Sequence, residues 1–230
     1  MEKLGTKYGG WYVPKEMELD EDSIIYSAGV GEDISFDLLL NNKYKSHIYL
    51  IDPTERALKH YESIHEGYIS NDWDFSGQDI QKDYWGIINE LKPNLKKVYY
   101  VKKGLWKCRD IMKFYKQEND KYVSQSLMGN MFGKEYDKVE VLSVKDLMKE
   151  KQNTRIDLLK MDIEGAEKQA LLGARALIHS FKPKLSICLY HSCEDLWEIP
   201  FLIKSIMPEY KLFLRPHSQY LNHTICYATV

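Results

Sequence analysis

The chain lacks most of the features that assign a protein quickly. Its 230 residues include only four cysteines, at 108, 188, 193 and 226. None forms a C-x-x-C pair, and a chain of this length needs no disulfide scaffold, so reduced thiols and a cytoplasmic location are expected. Neither sign of charge dominates: 32 basic against 34 acidic residues leave a formal charge of -2. That excludes the broad basic field a nucleic-acid partner requires. The pairs Lys96-Lys97 and Lys102-Lys103 are short and read as solvated strand ends. No apolar run approaches the length of a membrane span, and the opening MEKLGTKYGGWYVPKEMELDED has no apolar signal core. There is no internal repeat and no low-complexity linker. One soluble domain over residues 1–230 is the expectation, with 1–22 as an N-terminal segment closing over a ligand.

What is present is an alternation of apolar runs with helix-period segments, the pattern of βαβ units and a parallel sheet. Strands are predicted at 23–29 (SIIYSAG), 46–52 (SHIYLID), 96–103, 155–162 (RIDLLKMD) and 184–191 (KLSICLYH). Helices are predicted at about 34–41, 54–65, 85–91, 164–180 with a break near Gly173, and 194–206. Thr54 and Ser143 read as N-caps, the latter opening a short helix after a strand at 137–144. RDIMKFY (109–115) reads as a strand facing 96–103 across the Gly104 turn, and 66–84 as an elaborated polar, aromatic loop. The segments 210–216 and 223–230 read as an antiparallel ribbon at the sheet edge, which leaves a homodimer open. The sum is an α/β fold with a mostly parallel seven-stranded sheet, helices on both faces and an antiparallel C-terminal strand pair. That is closer to nucleoside-binding methyltransferases than to a plain dinucleotide fold.

Two motifs carry cofactor chemistry. YSAGVGED (26–33) puts Ala28, Gly29 and Gly31 between the first strand and first helix, where glycine permits positive φ and close approach of a ligand. A dinucleotide fingerprint wants glycine or alanine at 34, but Ile34 stands there, and Glu32 and Asp33 would repel a pyrophosphate. An acidic loop suits S-adenosylmethionine, whose ammonium it can hold and which carries no phosphate. Asp52, followed by Pro53, ends the second strand, where a carboxylate accepts both ribose hydroxyls of a nucleoside. As plain structure, Asp33 and Asp52 are turn or N-cap residues.

With these residues placed, the chain resembles the FkbM-type methyltransferases. The likeness runs through KYGGWYVP (7–14), YSAGVGEDISFD (26–37), LIDPT (50–54), GLW (104–106), KFY (113–115), SQSL (124–127), DLLKMDIEGAE (157–167), SICLYH (186–191) and YKLFLRPHS (210–218). The resemblance implies a class I, Rossmann-like fold and methyl transfer to a hydroxyl oxygen of a sugar or similar polyhydroxylated natural product. It implies cofactor contacts from Gly29, Gly31, Asp33, Asp52 and Gly104, Leu105 and Trp106, with Tyr8 and Trp11 closing over the cofactor and Ser126 supporting it.

The chemistry is expected at the carboxyl ends of the strands. Asp162 ends the fourth main strand and His191 the fifth. His191 is the natural general base, and Asp162, which also faces the cofactor's methyl group, orients the base, accepts the acceptor hydroxyl or binds a cation. Lys160 shares a face with Asp162 and either pairs with it or snorkels to solvent. His217 and His223 are weaker candidates. Asp162, Glu164, His191 and Glu194 are donor types for a hard cation, but no pair shows tight ligand spacing, so no metal is expected. Glu164 and Glu167 are explained as first-turn helix acids. Tyr68, Trp73, Trp85 and His217 suit stacking on a carbohydrate. Rival readings are a sugar-nucleotide glycosyltransferase using Asp72 and Asp74, a nicotinamide oxidoreductase, and a non-catalytic interaction module of the same fold.

Overall fold

The structure is a computed structural model that describes residues 2–13, 17–73, 82–115, 127, 135–217 and 223–230. The chain forms two compact units, Met1–Lys102 and Lys103–Val230. The first contains β1 (Glu2–Leu4), β2 (Trp11–Val13), β3 (Ile24–Ala28), α1 (Ser35–Tyr44), β4 (His47–Ile51), α2 (Glu55–Ser70), α3 (Lys82–Glu90) and β5 (Val98–Val101). The second contains β6 (Gly104–Leu105), β7 (Asp110–Tyr115), β8 (Tyr136–Leu142), α4 (Val144–Lys151), β9 (Leu158–Met161), α5 (Glu167–Phe181), β10 (Lys184–Cys188), α6 (Asp195–Ile206), β11 (Lys211–Pro216) and β12 (Thr224–Thr229). The main sheet has seven strands and is mostly parallel, as expected from the apolar runs. The first unit supplies β3, β4 and β5, all parallel. In the second, β9 and β10 are parallel and β12 runs antiparallel between β10 and β11. Among the described residues no helix is long and apolar enough to cross a membrane, and all four cysteines are free thiols.

β3 and β4 are near-continuous apolar runs because parallel strands are buried on both faces. Ile25, Tyr26, Ile48, Leu50 and Ile51 are all buried in the first unit. Tyr26 meets Tyr49 edge-on at 5.2 Å, and Tyr49 stacks on Tyr99 at 4.7 Å. In the second unit Leu158, Leu159 and Met161 of β9 and Leu185, Ile187 and Cys188 of β10 are buried together with Leu171, Ala174 and Ile178 of α5.

Three local expectations are corrected. The expected loop over 66–84 is helical at both of its described ends, since α2 runs to Ser70 and α3 begins at Lys82. Gly67 falls within that expected loop but lies inside α2, and the indole of Trp73 packs against it: a Cβ at 67 would fall 2.6 Å from that ring. Tyr68, Trp73 and Trp85 pack on one another, and the Tyr68 hydroxyl donates to the Ile88 carbonyl. Second, β7 does not face the strand at 96–103. It pairs antiparallel with β8, which also holds β6 in parallel, while β5 pairs with β4.

Third, α5 is unbroken at Gly173. A Cβ there would lie 2.7 Å from the Lys107 Cα and 2.8 Å from the Lys107 and Trp106 carbonyl oxygens, so the glycine lets the 106–107 backbone approach the helix. Gly173→Ala gains about 1 kcal/mol of helix propensity. The overpacking against rigid backbone costs more, about 1–3 kcal/mol. The variant should therefore unfold at lower urea concentration than the wild type.

His60 of α2 is buried and bonds the Tyr84 hydroxyl at 2.6 Å. Burial pushes its pKa down from 6.5 to about 4. The folded value lies below the unfolded one, so this stability is present above pH 6.5 and is lost as pH falls toward 4. His60 should contribute a loss of about 2 kcal/mol to the urea-unfolding free energy between pH 7 and 5, partly offset by His191, whose pKa is raised on folding. His60→Phe should flatten that slope.

Candidate active site

In the first unit β3 delivers the buried Ala28 into a turn whose Gly29 (φ 70) and Gly31 (φ 54) are left-handed. At Gly31 a Cβ would meet nothing within 4 Å, so conformation rather than crowding selects glycine there. The Gly29 amide donates to the Ile51 carbonyl at 2.9 Å, tying the turn to the end of β4. The Gly31 amide donates to Asp52 Oδ2 at 3.1 Å. Asp52 Oδ1 accepts from the Thr54 amide at 2.9 Å and the Thr54 hydroxyl at 2.7 Å. Thr54 in turn caps α2 by accepting from the Ala57 amide. The buried Asp52, with half-buried Pro53 after it, thus joins the glycine turn to the start of the next helix.

Asp33 is engaged differently. Its carboxylate accepts from the Thr6 hydroxyl and from the amide and hydroxyl of Ser35. The Thr6 amide donates to Ser35 Oγ at 3.0 Å. Gly9 lies so close that a Cβ on it would fall 2.4 Å from Asp33 Cγ. Asp33 therefore anchors the N-terminal segment to the start of α1. Glu32 forms an ion pair with Arg56 at 2.6 Å. Of the two aromatic residues predicted to close over a cofactor, Trp11 is buried with its ring 6.1 Å from that of Phe36, whereas Tyr8 is exposed.

In the second unit Gly104 and Leu105 are buried as β6, and the Trp106 amide donates to the Leu142 carbonyl at 2.9 Å. The Trp106 side chain packs against the cluster of Phe114, Leu127, Val141 and Ala166. Ser126 and Asp74 lie outside the described residues, and Asp72 is exposed after α2. The parallel pairing of β9 with β10 sets Met161 opposite Ile187, so both strands release their chains at the same end of the pair. Asp162 follows one strand, and Tyr190 and His191 follow the other.

The turn after β9 is built by two consecutive left-handed residues, Glu164 (φ 55) and Gly165 (φ 92). Glu167, fully buried at the start of α5, folds back over it. Its carboxylate accepts from the Ile163 amide at 2.6 Å and the Gly165 amide at 3.0 Å. Glu167 is thus a first-turn acid as expected, though a fully buried one that holds the preceding turn, whereas Glu164, expected in the same helical turn, lies before the helix. Next to Glu167, the Tyr190 hydroxyl donates to Asp162 Oδ1 at 2.6 Å. Burial and the Asp162 charge push the Tyr190 phenol well above its usual range.

His191 sits among three carboxylates: Nε2 is 3.4 Å from Asp162 and 3.5 Å from Glu164, and Nδ1 is 3.2 Å from Glu167. Burial opposes a charged ring, but the charges of Glu167, Asp162 and Glu164 outweigh it and raise its pKa to about 9. With that proton in place the ring has no lone pair for a substrate proton. Lys160 is buried, which removes the solvent-snorkelling reading. Glu194 is exposed at the start of α6. His217 Nε2 bonds the Tyr227 hydroxyl at 2.7 Å, and His223 lies 5.4 Å from the Tyr190 ring. Sequence reasoning singled out Asp162 and His191, which the structure brings together, but did not foresee the burial of Glu167 and passed over Tyr190. The available signal for Tyr190 was its place beside His191 just beyond a buried strand.

The family model for the methyltransferase FkbM domain matches residues 13–213. No curated protein matches the chain. Among solved structures, the chain is similar to methyltransferase FkbM from Methylobacillus flagellatus, with a TM-score of 0.63 and 20% identity over 92% of this chain and 44% of that one. The chain thus spans less than half the length of that protein. An rRNA methylase from Streptococcus thermophilus matches with a TM-score of 0.48 and 12% identity, over 92% of this chain and 89% of that one. SMU.1697c from Streptococcus mutans, solved in complex with SAH, matches with the same score and identity, over 92% of this chain and 91% of that one.

Proposed function

The chain belongs to the FkbM methyltransferase family, and we propose that it transfers the methyl group of S-adenosylmethionine to a hydroxyl oxygen of a sugar, whether free, nucleotide-activated or glycan-linked. The observation that carries the cofactor half of this reading is the bond from the Gly31 amide to Asp52. A glycine turn and a strand-end carboxylate held together in this way match a nucleoside: backbone against the ligand, and an acid for the ribose hydroxyls. Glu32 and Asp33 beside that turn disfavour a pyrophosphate. The acceptor half rests on the family resemblance and on the acid at the end of β9. Methyl transfer needs an oxygen in line with the sulfonium methyl, so positioning supplies much of the rate. Asp162, oriented by Tyr190, would receive the hydrogen bond of the acceptor hydroxyl.

Calorimetric titration with S-adenosylmethionine and with NAD tests the cofactor. Micromolar binding of the first alone is expected, and a folded protein that binds neither would sink the reading. Labelled S-adenosylmethionine offered with a panel of sugar nucleotides and glycans tests the acceptor. Label appearing only on protein, lipid or amine would overturn the sugar hydroxyl.

A further inference from the structure

Asp162, Glu167 and His191 each bring one ligand atom into a common space, with these atoms all within 4.8 Å of one another. A single ion bound at about 2.1 Å sets adjacent ligand atoms about 3 Å apart and opposite ones about 4.2 Å apart. The bound of 4.8 Å exceeds the opposite-ligand distance by about 0.6 Å, so a small inward turn of the side chains brings the three atoms onto one ion. Acidic groups gather for many reasons, but a second observation concerns the imidazole. The His191 side chain is 8% exposed, and neither of its ring nitrogens makes a hydrogen bond. The ring faces its carboxylates at 3.2–3.5 Å without the alignment of a hydrogen bond, so its nitrogens are directed into the space the acids share.

Both carboxylates are already oriented from behind. Tyr190 donates to Asp162, and the Ile163 and Gly165 amides donate to Glu167. Outer donors of this kind fix ligands in place before an ion arrives. We propose that Asp162, Glu167 and His191 form a binding site for one divalent cation of the Mn2+ type. Two hard carboxylates disfavour a soft ion, and an imidazole ligand disfavours Mg2+ and Ca2+. The ion displaces the ring proton to solvent, after which two carboxylates and a neutral imidazole balance a charge of two beside the buried Glu167. Positions on the ion not filled by these side chains take water or adjacent acceptor oxygens. That last assignment rests on the methyl-transfer reading; the cation site itself does not.

The test is titration of metal-free protein with Mn2+, followed by electron paramagnetic resonance without cofactor or acceptor. One site per chain with micromolar affinity is expected, weakened at least about 10-fold in Asp162→Asn and in Glu167→Gln. Asp162→Asn keeps an acceptor for Tyr190, so it decides the matter if the Glu167 variant does not fold. Absence of binding up to millimolar Mn2+, or unchanged affinity in a folded variant, would overturn the site. Calorimetry with S-adenosylmethionine on the same metal-free sample separates the two readings. Cofactor binding without Mn2+ binding removes only the cation site, and the reverse removes only the methyl-transfer reading.

Discussion

Glu167→Ala should destabilise the protein by about 3–5 kcal/mol, the magnitude for removing one partner from a buried charged cluster. The carboxylate is fully buried. Its two oxygens hold the Ile163 and Gly165 amides, which the left-handed turn at Glu164 and Gly165 keeps out of the helix ladder. Alanine releases those donors, leaves a gap beside His191 and removes the nearest of its three carboxylates. The natural control is Glu198, which pairs with Lys168 across side chains about 40% exposed to solvent. Glu198→Ala should cost at most about 1 kcal/mol, because water screens the pair and both chains pay entropy to form it. Urea denaturation of the two variants side by side is the measurement. Equal losses would mean that the turn after β9 stands without its buried acid.

Asp52→Ala should raise the dissociation constant for S-adenosylmethionine about 100-fold, or about 2.7 kcal/mol. Hydrogen bonds to a charged group contribute about 1.5–3 kcal/mol, and the ribose would lose its acceptor. The substitution also frees the Gly31 amide and both donors of Thr54, so the glycine turn loses its link to α2. Asp33→Ala should behave differently. That carboxylate is committed to Thr6 and Ser35, and its removal loosens the N-terminal segment rather than stripping a direct cofactor contact. A fall in affinity of less than about 10-fold is expected. Calorimetry on both variants checks this, and a larger effect at Asp33 than at Asp52 would reverse the assignment of the two acids.

The strands of the main sheet were legible because burial on both faces forces β3, β4, β9 and β10 to be written in apolar residues. Asp52, Asp162 and His191 were legible because a polar residue just past such a run lies at a strand end. The errors share a cause as well. Gly67 falls within the expected loop and Gly173 at an expected break, yet each is a contact, with an indole in one case and a backbone turn in the other. A glycine reports missing volume, and the sequence does not say whether a bend or a neighbour requires it. Glu167 fits the ordinary rule for acids at helix starts, so nothing local marks it as buried. Its partners come from the preceding turn and from the far end of β10. The pairing of β7 was misassigned because a short turn suggests a hairpin, whereas β8 arrives from beyond residue 135 to take that place.

The reversed strand of the sheet bears on how the chain is made. β12 lies between β10 and β11, so it enters a gap flanked by segments that precede it in the chain. While residues 224–229 are still inside the ribosome, β11 has no partner in its unit, and one edge of β10 stands open with the apolar Leu185 and Ile187 along it. The second unit therefore cannot close its sheet until residues 224–229 have emerged behind both neighbours of β12. During that interval the open edge is a template for pairing with another nascent chain. Recoding that speeds synthesis of the stretch leading to β12 would shorten this exposure without altering a single contact in the folded unit.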